Sequence, residues 1–205
     1  MAFAGFRHGH IYALYDKAAR HPDVRIVAAC EEDPAARAAV HAGVPVTHAS
    51  FAEMLDKVPC DIVAVGDYYG KRGALAIAAL RRGKHVILDK PVCTSRRELD
   101  EMAALAAGSG CRIGCMLDLR TAPAFLRARR AIRGGVIGRV TQIQFGGQHP
   151  LLRDSRPAWY FEPGKHGGMI NDIAIHGIDM LGFLTGEPVR RIVAARTWQA
   201  FDVRS

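Results

Sequence analysis

The chain has 205 residues, 49% of them hydrophobic and 23% charged, with a formal net charge of +8 at pH 7. That is enough apolar material for one large domain or two small ones. No apolar run reaches the roughly 18 residues of a membrane helix, and the start, Met-Ala-Phe-Ala-Gly-Phe-Arg-His, lacks the basic-then-apolar pattern of a signal peptide. The expectation is therefore a cytoplasmic protein with no membrane partner. The basic residues are scattered, as in Arg81-Arg82, Arg129-Arg130 and Arg190-Arg191, without interleaved aromatics. This argues against a nucleic-acid partner and for a small anionic ligand. The five cysteines, Cys30, Cys60, Cys93, Cys111 and Cys115, are odd in number and form no Cys-x-x-Cys. They read as small buried hydrophobes in a reducing compartment.

In chain order, an apolar run over 2–5 ends in Gly5 and is followed by Phe6-Arg7-His8-Gly9-His10 and the helical pattern Ile11, Leu14, Tyr15, Ala18. Val24 to Cys30 reads as a strand closed by Glu31. Asp33 and Pro34 open a helix as N-cap and first residue. Val44 to Val46 is a short strand, and Ser50 with Glu53 caps a short helix. Asp61 to Val65 is an apolar strand. Gly70 to Arg82 is an Ala/Leu-rich helix stopped by Gly83. His85 to Leu88 is the next strand, with Asp89-Lys90-Pro91 directly behind it. Ser95 to Ala107 is helical, ending at Gly108, and Cys111 to Cys115 is a last strand. Strand and helix alternate, and the strands are apolar throughout. That pattern predicts an α/β, doubly wound parallel sheet covered on both faces, over residues 1–116. Ligands in such sheets lie beyond the carboxyl ends of the strands, where the loops 5–10, 66–70 and 89–91 meet.

The pattern then changes. A basic helix over Pro123 to Ile132 and a turn at Gly134-Gly135-Val136-Ile137-Gly138 precede an alternating strand from Arg139 to Phe145. Residues 146–168 are irregular, although Trp159, Tyr160 and Phe161 argue for order. A helix runs to about Leu184 and stops at Gly186. A strand is expected from Arg191 to Trp198. Residues 117–205 thus read as an incomplete α+β domain.

Three constellations carry chemistry. Gly5, the turn Arg7-His8-Gly9-His10 and Glu31 have the layout of a dinucleotide fingerprint: a tight turn, a phosphate on the helix N-terminus and a carboxylate for ribose hydroxyls. Arg7 and His10 stand where glycines are usual, so Arg7 is assigned to the pyrophosphate instead. Lys90, at the ligand edge of the sheet, can donate to a substrate oxygen or take part in proton transfer. Asp172, His176 and Asp179 fall at i, i+4 and i+7 on one helical stripe, so Asp172 and His176 can meet as an acid–histidine pair. The same residues, with His166 or His149, form a rival metal-ligand set, and His8-x-His10 is another. Neither has a spacing diagnostic of a metal, and no metal is assigned.

Taken in order, Ala76-Ile77-Ala78-Ala79-Leu80, Gly83-Lys84-His85-Val86, Asp89-Lys90-Pro91, Gly135-Val136-Ile137-Gly138 and Gly167-Gly168-Met169-Ile170-Asn171-Asp172-Ile173-Ala174-Ile175-His176-Gly177-Ile178-Asp179 resemble the Gfo/Idh/MocA family of NAD(P)-dependent oxidoreductases. The resemblance implies a Rossmann domain, then a domain built on a large antiparallel sheet. It implies hydride transfer between nicotinamide and a secondary alcohol of a sugar-like or polyol substrate, and a homo-oligomer in the full-length form. Carried over, Lys90 touches the reacting oxygen, His176 exchanges the hydroxyl proton, and Asp172 orients His176 or binds another hydroxyl. Gly5, Arg7, His8, Gly9, His10, Glu31, Asp67, Tyr68, Asp89 and Lys90 contact the cofactor. Glu31 favours NAD, with NADP left open. Gly66-Asp67-Tyr68-Tyr69 departs from the family's usual sequence, and Tyr68 or Tyr69 is placed at the nicotinamide pocket. Family members are much longer, so the chain also reads as truncated, and two other readings stay open: a nucleotide-binding but catalytically silent homologue, and a metal-dependent lyase or isomerase. A second domain of this size cannot cover its own sheet, so the isolated chain is expected to be poorly stable or to aggregate.

Overall fold

The computed structural model describes residues 1–147 and 149–197. Five parallel strands form one sheet in the order β2-β1-β3-β4-β5. They are β1 (Ala2–Ala4), β2 (Ala28–Cys30), β3 (Ile62–Val65), β4 (His85–Asp89) and β5 (Ile113–Met116). The crossovers are α1 (His10–Arg20), α2 (Pro34–Ala38), α3 (Phe51–Lys57), α4 (Tyr69–Arg81) and α5 (Arg96–Ser109). The short strand expected at Val44 to Val46 shrinks to one parallel bridge between His48 and Cys30, at the outer edge of β2. The helix expected to stop at Gly108 runs on to Ser109 and is capped by Gly110 in the left-handed conformation.

Both faces of the sheet are filled, as its apolar strands require. Phe3, Ala29 and Ala64 point to the side covered by α1, where Phe6, Ile11 and Tyr15 pack on them. Their neighbours Ala2, Ala4, Val63 and Val65 point the other way, toward Met54, Ala76, Leu80 and Met102 from α3, α4 and α5. Alternation within each strand therefore serves two cores at once. All five cysteines are free thiols. Burial pushes Cys30 up to about 12 and Cys115 up to about 11, so neither is a reactive thiolate at neutral pH.

The chain leaves β1 outward to β2 and returns to β3 on the other side, which opens a crevice at the carboxyl ends of β1 and β3. Two glycines let the backbones close there. Gly5 has φ +76°, and a Cβ on it would sit 2.5 Å from the Asp67 Cβ. A Cβ on Gly66 would sit 2.4 Å from the Ile11 Cβ. The His8 N–H donates to the Gly66 carbonyl at 3.1 Å, tying the first turn to the end of β3.

Beyond β5 the chain forms α6 (Pro123–Arg133), a 3-10 turn at Ala158–Phe161, a π turn at Ile170–Ala174 and α7 (Ile175–Thr185). α6 packs on α7, with the Arg129 guanidinium 4.6 Å above the Phe183 ring. The strands expected over Arg139 to Phe145 and from Arg191 onward do not form among the described residues, and Trp198 lies outside them. Neither segment has a paired neighbour, and an isolated strand leaves its peptide groups to water. Ile192 and Val193, in the second segment, are accordingly 69% and 84% exposed.

The two glycines of the first turn should behave oppositely on substitution. Gly5→Ala forces a side chain into a left-handed backbone and into Asp67, costing roughly 3 kcal/mol. Gly9 has φ −62° and open space around its Cβ position, so Gly9→Ala should leave stability within about 0.5 kcal/mol. Urea unfolding of the two variants checks this; equal stabilities would contradict the packing described at Gly5.

Candidate active site

The crevice is built from the first turn upward. α1 begins at His10 with no side-chain cap, and among the described residues the N–H groups of Gly9 and His10 have no acceptor. Orphan amides at a helix N-terminus fit a phosphate. Arg7 lies beside them, its Nη2 3.1 Å from Asp33 and its Nε 3.4 Å from Asp67, with the guanidinium 5.1 Å from the Tyr68 ring centroid. Lys71 bridges Glu32 at 2.9 Å and Asp67 at 3.2 Å. Glu31 requires a correction. It is fully buried beneath the turn, and its two oxygens accept the N–H groups of Phe6 at 2.8 Å and Asp33 at 3.1 Å. Burial raises its pKa. Glu31 shapes the turn, and the carboxylate left at the mouth is the part-exposed Asp33.

The second layer hangs on Arg72, which is fully buried on α4. Its Nε donates to the Asp67 carbonyl at 2.7 Å. Its Nη1 faces the carbonyls of Asp89, Lys90 and Pro91 at 3.0, 2.7 and 3.2 Å, and its Nη2 donates to the Asp89 carboxylate at 3.1 Å. The guanidinium also lies 4.5 Å from the Tyr69 ring centroid. Asp89 is ringed by cationic or donating partners: Arg72, the Nδ1 of His8, and the Nδ1 of His10 at 3.2 Å. Burial alone would raise the Asp89 pKa; the hydrogen bonds from His10 and His8 and the Arg72 charge outweigh it and hold the group well below the usual carboxylate range.

Pinned in this way, Lys90 extends from the end of β4 across to the π turn. Its Nζ donates at 2.7 Å both to the Asp172 carbonyl and to Asp172 Oδ1. Asp172 is buried and also meets the Tyr69 hydroxyl at 3.0 Å, the Tyr160 hydroxyl at 3.3 Å and His166 Nε2 at 3.1 Å. Burial acts to raise its pKa, but the hydrogen bonds from His166 and Lys90 and the Lys90 charge lower it far more. The expected Asp172–His176 pair does not form. The chain turns as a π helix over Ile170–Ala174, which breaks the regular α-helical spacing between positions 172 and 176. Asp179 goes to a bidentate ion pair with Arg120. His176 instead faces a cavity of about 800 Å³ lined by Phe145, His149, Met169 and Ile173, and its buried Nδ1 has no partner among the described residues. Burial, then the Lys90 charge, lowers the His176 pKa, so the imidazole is neutral at pH 7.

The site thus joins Lys90 and Asp172 and sets His176 beside them. Sequence reasoning missed Arg72 and Tyr160 and saw Tyr69 only as a pocket wall. A signal existed for Arg72: it shares the helical stripe of Tyr69, Ala76 and Leu80, all fully buried, so a guanidinium there had to find buried acceptors. Tyr160 is 12 residues from Asp172 across an irregular stretch, and no periodicity connects them. The atoms of His8, His10 and Asp89 lie within 4.8 Å of one another, a spacing a metal could use. However, Arg72 already neutralises Asp89, and each imidazole Nδ1 is engaged by a separate carboxylate oxygen. The donor set fits a hydrogen-bonded cluster better than a cation cage.

These shifts fix the sign of the pH dependence. His8 and His176 have folded pKa values below their unfolded ones, so their contribution is present above about pH 6.5 and is lost as the pH falls below it. Asp89 and Asp172 are likewise depressed, and their contribution is lost as the pH falls below about 4. Urea midpoints should therefore fall in two stages from about pH 7.5 downward. A midpoint that does not move until about pH 4 would contradict the neutral buried histidines.

Comparison with known proteins agrees with this architecture. Residues 3–117 match the family model described as an oxidoreductase family with an NAD-binding Rossmann fold, and residues 125–203 match the GFO/IDH/MocA C-terminal domain. Levoglucosan dehydrogenase of Pseudarthrobacter phenanthrenivorans is 27% identical over an alignment of 205 positions that covers 96% of this chain and 52% of that protein. The 1,5-anhydro-D-fructose reductase of Ensifer adhaerens is 31% identical over 154 residues, 74% of this chain and 46% of that one. Among solved structures, an oxidoreductase domain protein from Kribbella flavida superposes with a TM-score of 0.74 at 27% identity, covering 91% of this chain and 52% of its own. The myo-inositol 2-dehydrogenase of Lactobacillus plantarum has the same fold, with a TM-score of 0.76 at 22% identity over 90% of this chain and 56% of that one. The chain spans about half the length of the curated relatives it matches. With its parallel sheet, its phosphate-ready turn and both family models matched in order, the chain belongs to the GFO/IDH/MocA oxidoreductases and carries their NAD-binding Rossmann domain.

Proposed function

We propose that this chain contributes the catalytic centre of an NAD-dependent oxidoreductase acting on a secondary alcohol of a sugar-like or polyol substrate. The observation that carries the reading is the Lys90–Asp172 contact. Two groups 82 residues apart meet at 2.7 Å, one at the ligand edge of the Rossmann sheet and one on the helix behind it. The relatives' names, a levoglucosan dehydrogenase and an anhydrofructose reductase, support the substrate class.

The orphan amides of Gly9 and His10, with Arg7, hold the dinucleotide phosphates, and Tyr68 lines the groove. When bound, the nicotinamide supplies the hydride acceptor or donor. Two of the three Nζ hydrogens of Lys90 are directed at Asp172, which leaves the third for the carbinol oxygen. A cation there stabilises the alkoxide character that develops as hydride leaves the adjacent carbon. Neutral His176, on the wall of the cavity, takes the hydroxyl proton in oxidation and returns it in reduction. Asp172 acts by fixing Lys90 rather than by orienting His176.

Fluorescence titration with NADH should show saturable binding. Turnover across a polyol and sugar panel should follow in the wild-type chain and fall about 100-fold or more in Lys90→Met and His176→Ala, with cofactor affinity within a few-fold of wild type. Saturable binding without turnover on any substrate would favour the silent nucleotide-binding reading. Absence of binding at millimolar NADH would overturn both.

A further inference from the structure

The Tyr69 hydroxyl is buried at a junction that hydride transfer alone does not require. It lies 2.6 Å from the Tyr160 hydroxyl, 3.0 Å from Asp172 Oδ1 and 3.2 Å from His8 Nε2. The Tyr160 hydroxyl also approaches Asp172 Oδ2 at 3.3 Å. The two tyrosines bring one hydroxyl hydrogen each, so their protons cannot fill all of these contacts at once. What decides the arrangement is His8. Its Nδ1 faces the Asp89 carboxylate and must carry a hydrogen. While Asp172 is a carboxylate, the Tyr69 hydroxyl donates to its Oδ1, and neutral His8 leaves Nε2 bare against the Tyr69 oxygen. Once a proton reaches Asp172 Oδ1, the acid donates to Tyr69 and the Tyr69 hydrogen turns to His8 Nε2; after transfer, Nε2–H donates to Tyr69 and the Tyr69 hydrogen faces Asp172 again. The last two arrangements hold the same number of protons, and they are the states before and after a proton crosses from Asp172 to His8.

We propose that Tyr69 and His8 form a proton relay that carries the substrate's hydroxyl proton away from Lys90, in parallel with His176. The proposal rests on the oxidoreductase reading of the site. In the oxidative direction the hydride passes from the carbinol carbon to the nicotinamide and the substrate O–H bond breaks. That proton moves to Lys90 Nζ as Lys90 passes one of its own to Asp172 Oδ1. Asp172 gives a proton to the Tyr69 oxygen as the Tyr69 hydroxyl proton moves to His8 Nε2. Lys90, Asp172 and Tyr69 each receive one proton and lose one; the substrate becomes a carbonyl and His8 an imidazolium.

The surroundings suit that end point. Asp89 lies against the imidazolium on one side, and His10, whose side chain is 47% exposed, shares the same carboxylate and leads to solvent. Arg72 also faces Asp89, so the charge that accumulates on His8 is transient. Burial and the neighbouring Arg72 and His10 charges lower the His8 pKa, while Asp89 raises it; the net lowering leaves His8 neutral and ready to accept at pH 7.

Two measurements test the relay, one of them without any substrate. In ¹⁵N NMR of the wild-type chain at neutral pH, His8 should show the tautomer with hydrogen on Nδ1 and bare Nε2; the opposite tautomer overturns the relay whatever the activity. In steady-state kinetics in H₂O/D₂O mixtures, the residual turnover of His176→Ala should give a curved proton inventory, with more than one proton in flight. Tyr69→Phe or His8→Gln added to His176→Ala should lower the residual kcat about 10-fold, leave KM and NADH affinity within about two-fold, and flatten the inventory to a line. Both double variants keeping the residual kcat and curvature of His176→Ala would overturn the relay while leaving the oxidoreductase reading intact. A wild-type chain that binds NADH and turns over no substrate would overturn that reading, and with it the relay.

Discussion

The arrangement depends on one buried cation. Arg72 brings a full positive charge to a place with almost no water, where desolvation is costly unless every donor is satisfied. It is satisfied by three consecutive carbonyls, a fourth across the crevice and the Asp89 carboxylate. That fan of acceptors fixes the path of the chain at the end of β4, so Lys90 leaves the sheet in one direction. Breaking such a buried pair on one side typically costs about 3–5 kcal/mol. The cation is thus a structural commitment that makes the lysine geometry non-negotiable.

From that point two networks run outward. One passes through Lys90 to Asp172 and reaches the helix that carries His176. The other passes through Asp89 to His8 and His10, in the turn that presents amides to phosphate. Tyr69 closes the loop between them. The cofactor side and the substrate side of the crevice are therefore coupled by hydrogen bonds no longer than about 3.3 Å rather than by loop flexibility alone. The acidic and basic residues around Arg7 form a separate, wetter network. Its partners, Asp33 and Lys71, are partly exposed and contribute less to rigidity.

Much of the Rossmann half was legible because its signals are local. The apolar strands, the Ser50 cap, the Asp33–Pro34 helix start and the placement of Lys90 all follow from residues a few positions apart. The site was only half legible because its decisive contacts are long-range. Lys90 and Asp172 could be named, but not that they touch. The pairing of Asp172 with His176 failed because a helical-wheel argument assumes 3.6 residues per turn, and the chain takes a π turn there. Glu31 failed for a different reason: its position behind β2 matched a ribose-binding carboxylate, but two backbone amides of the turn reached it first. The strands expected after residue 138 failed because alternation shows that a segment can face a sheet, not that a partner strand is present to pair with it.

The central claim is that Lys90, Asp172 and His176 form a hydride-transfer centre rather than a salt-bridged joint between two parts of a fold. The most direct measurement incubates the chain with NAD and polyols carrying deuterium on the carbinol carbon and looks for the label in the reduced cofactor by mass spectrometry. The account predicts stoichiometric deuterium in the nicotinamide ring, abolished in Lys90→Met. Saturable NAD binding with no label transferred from any polyol or sugar would contradict it.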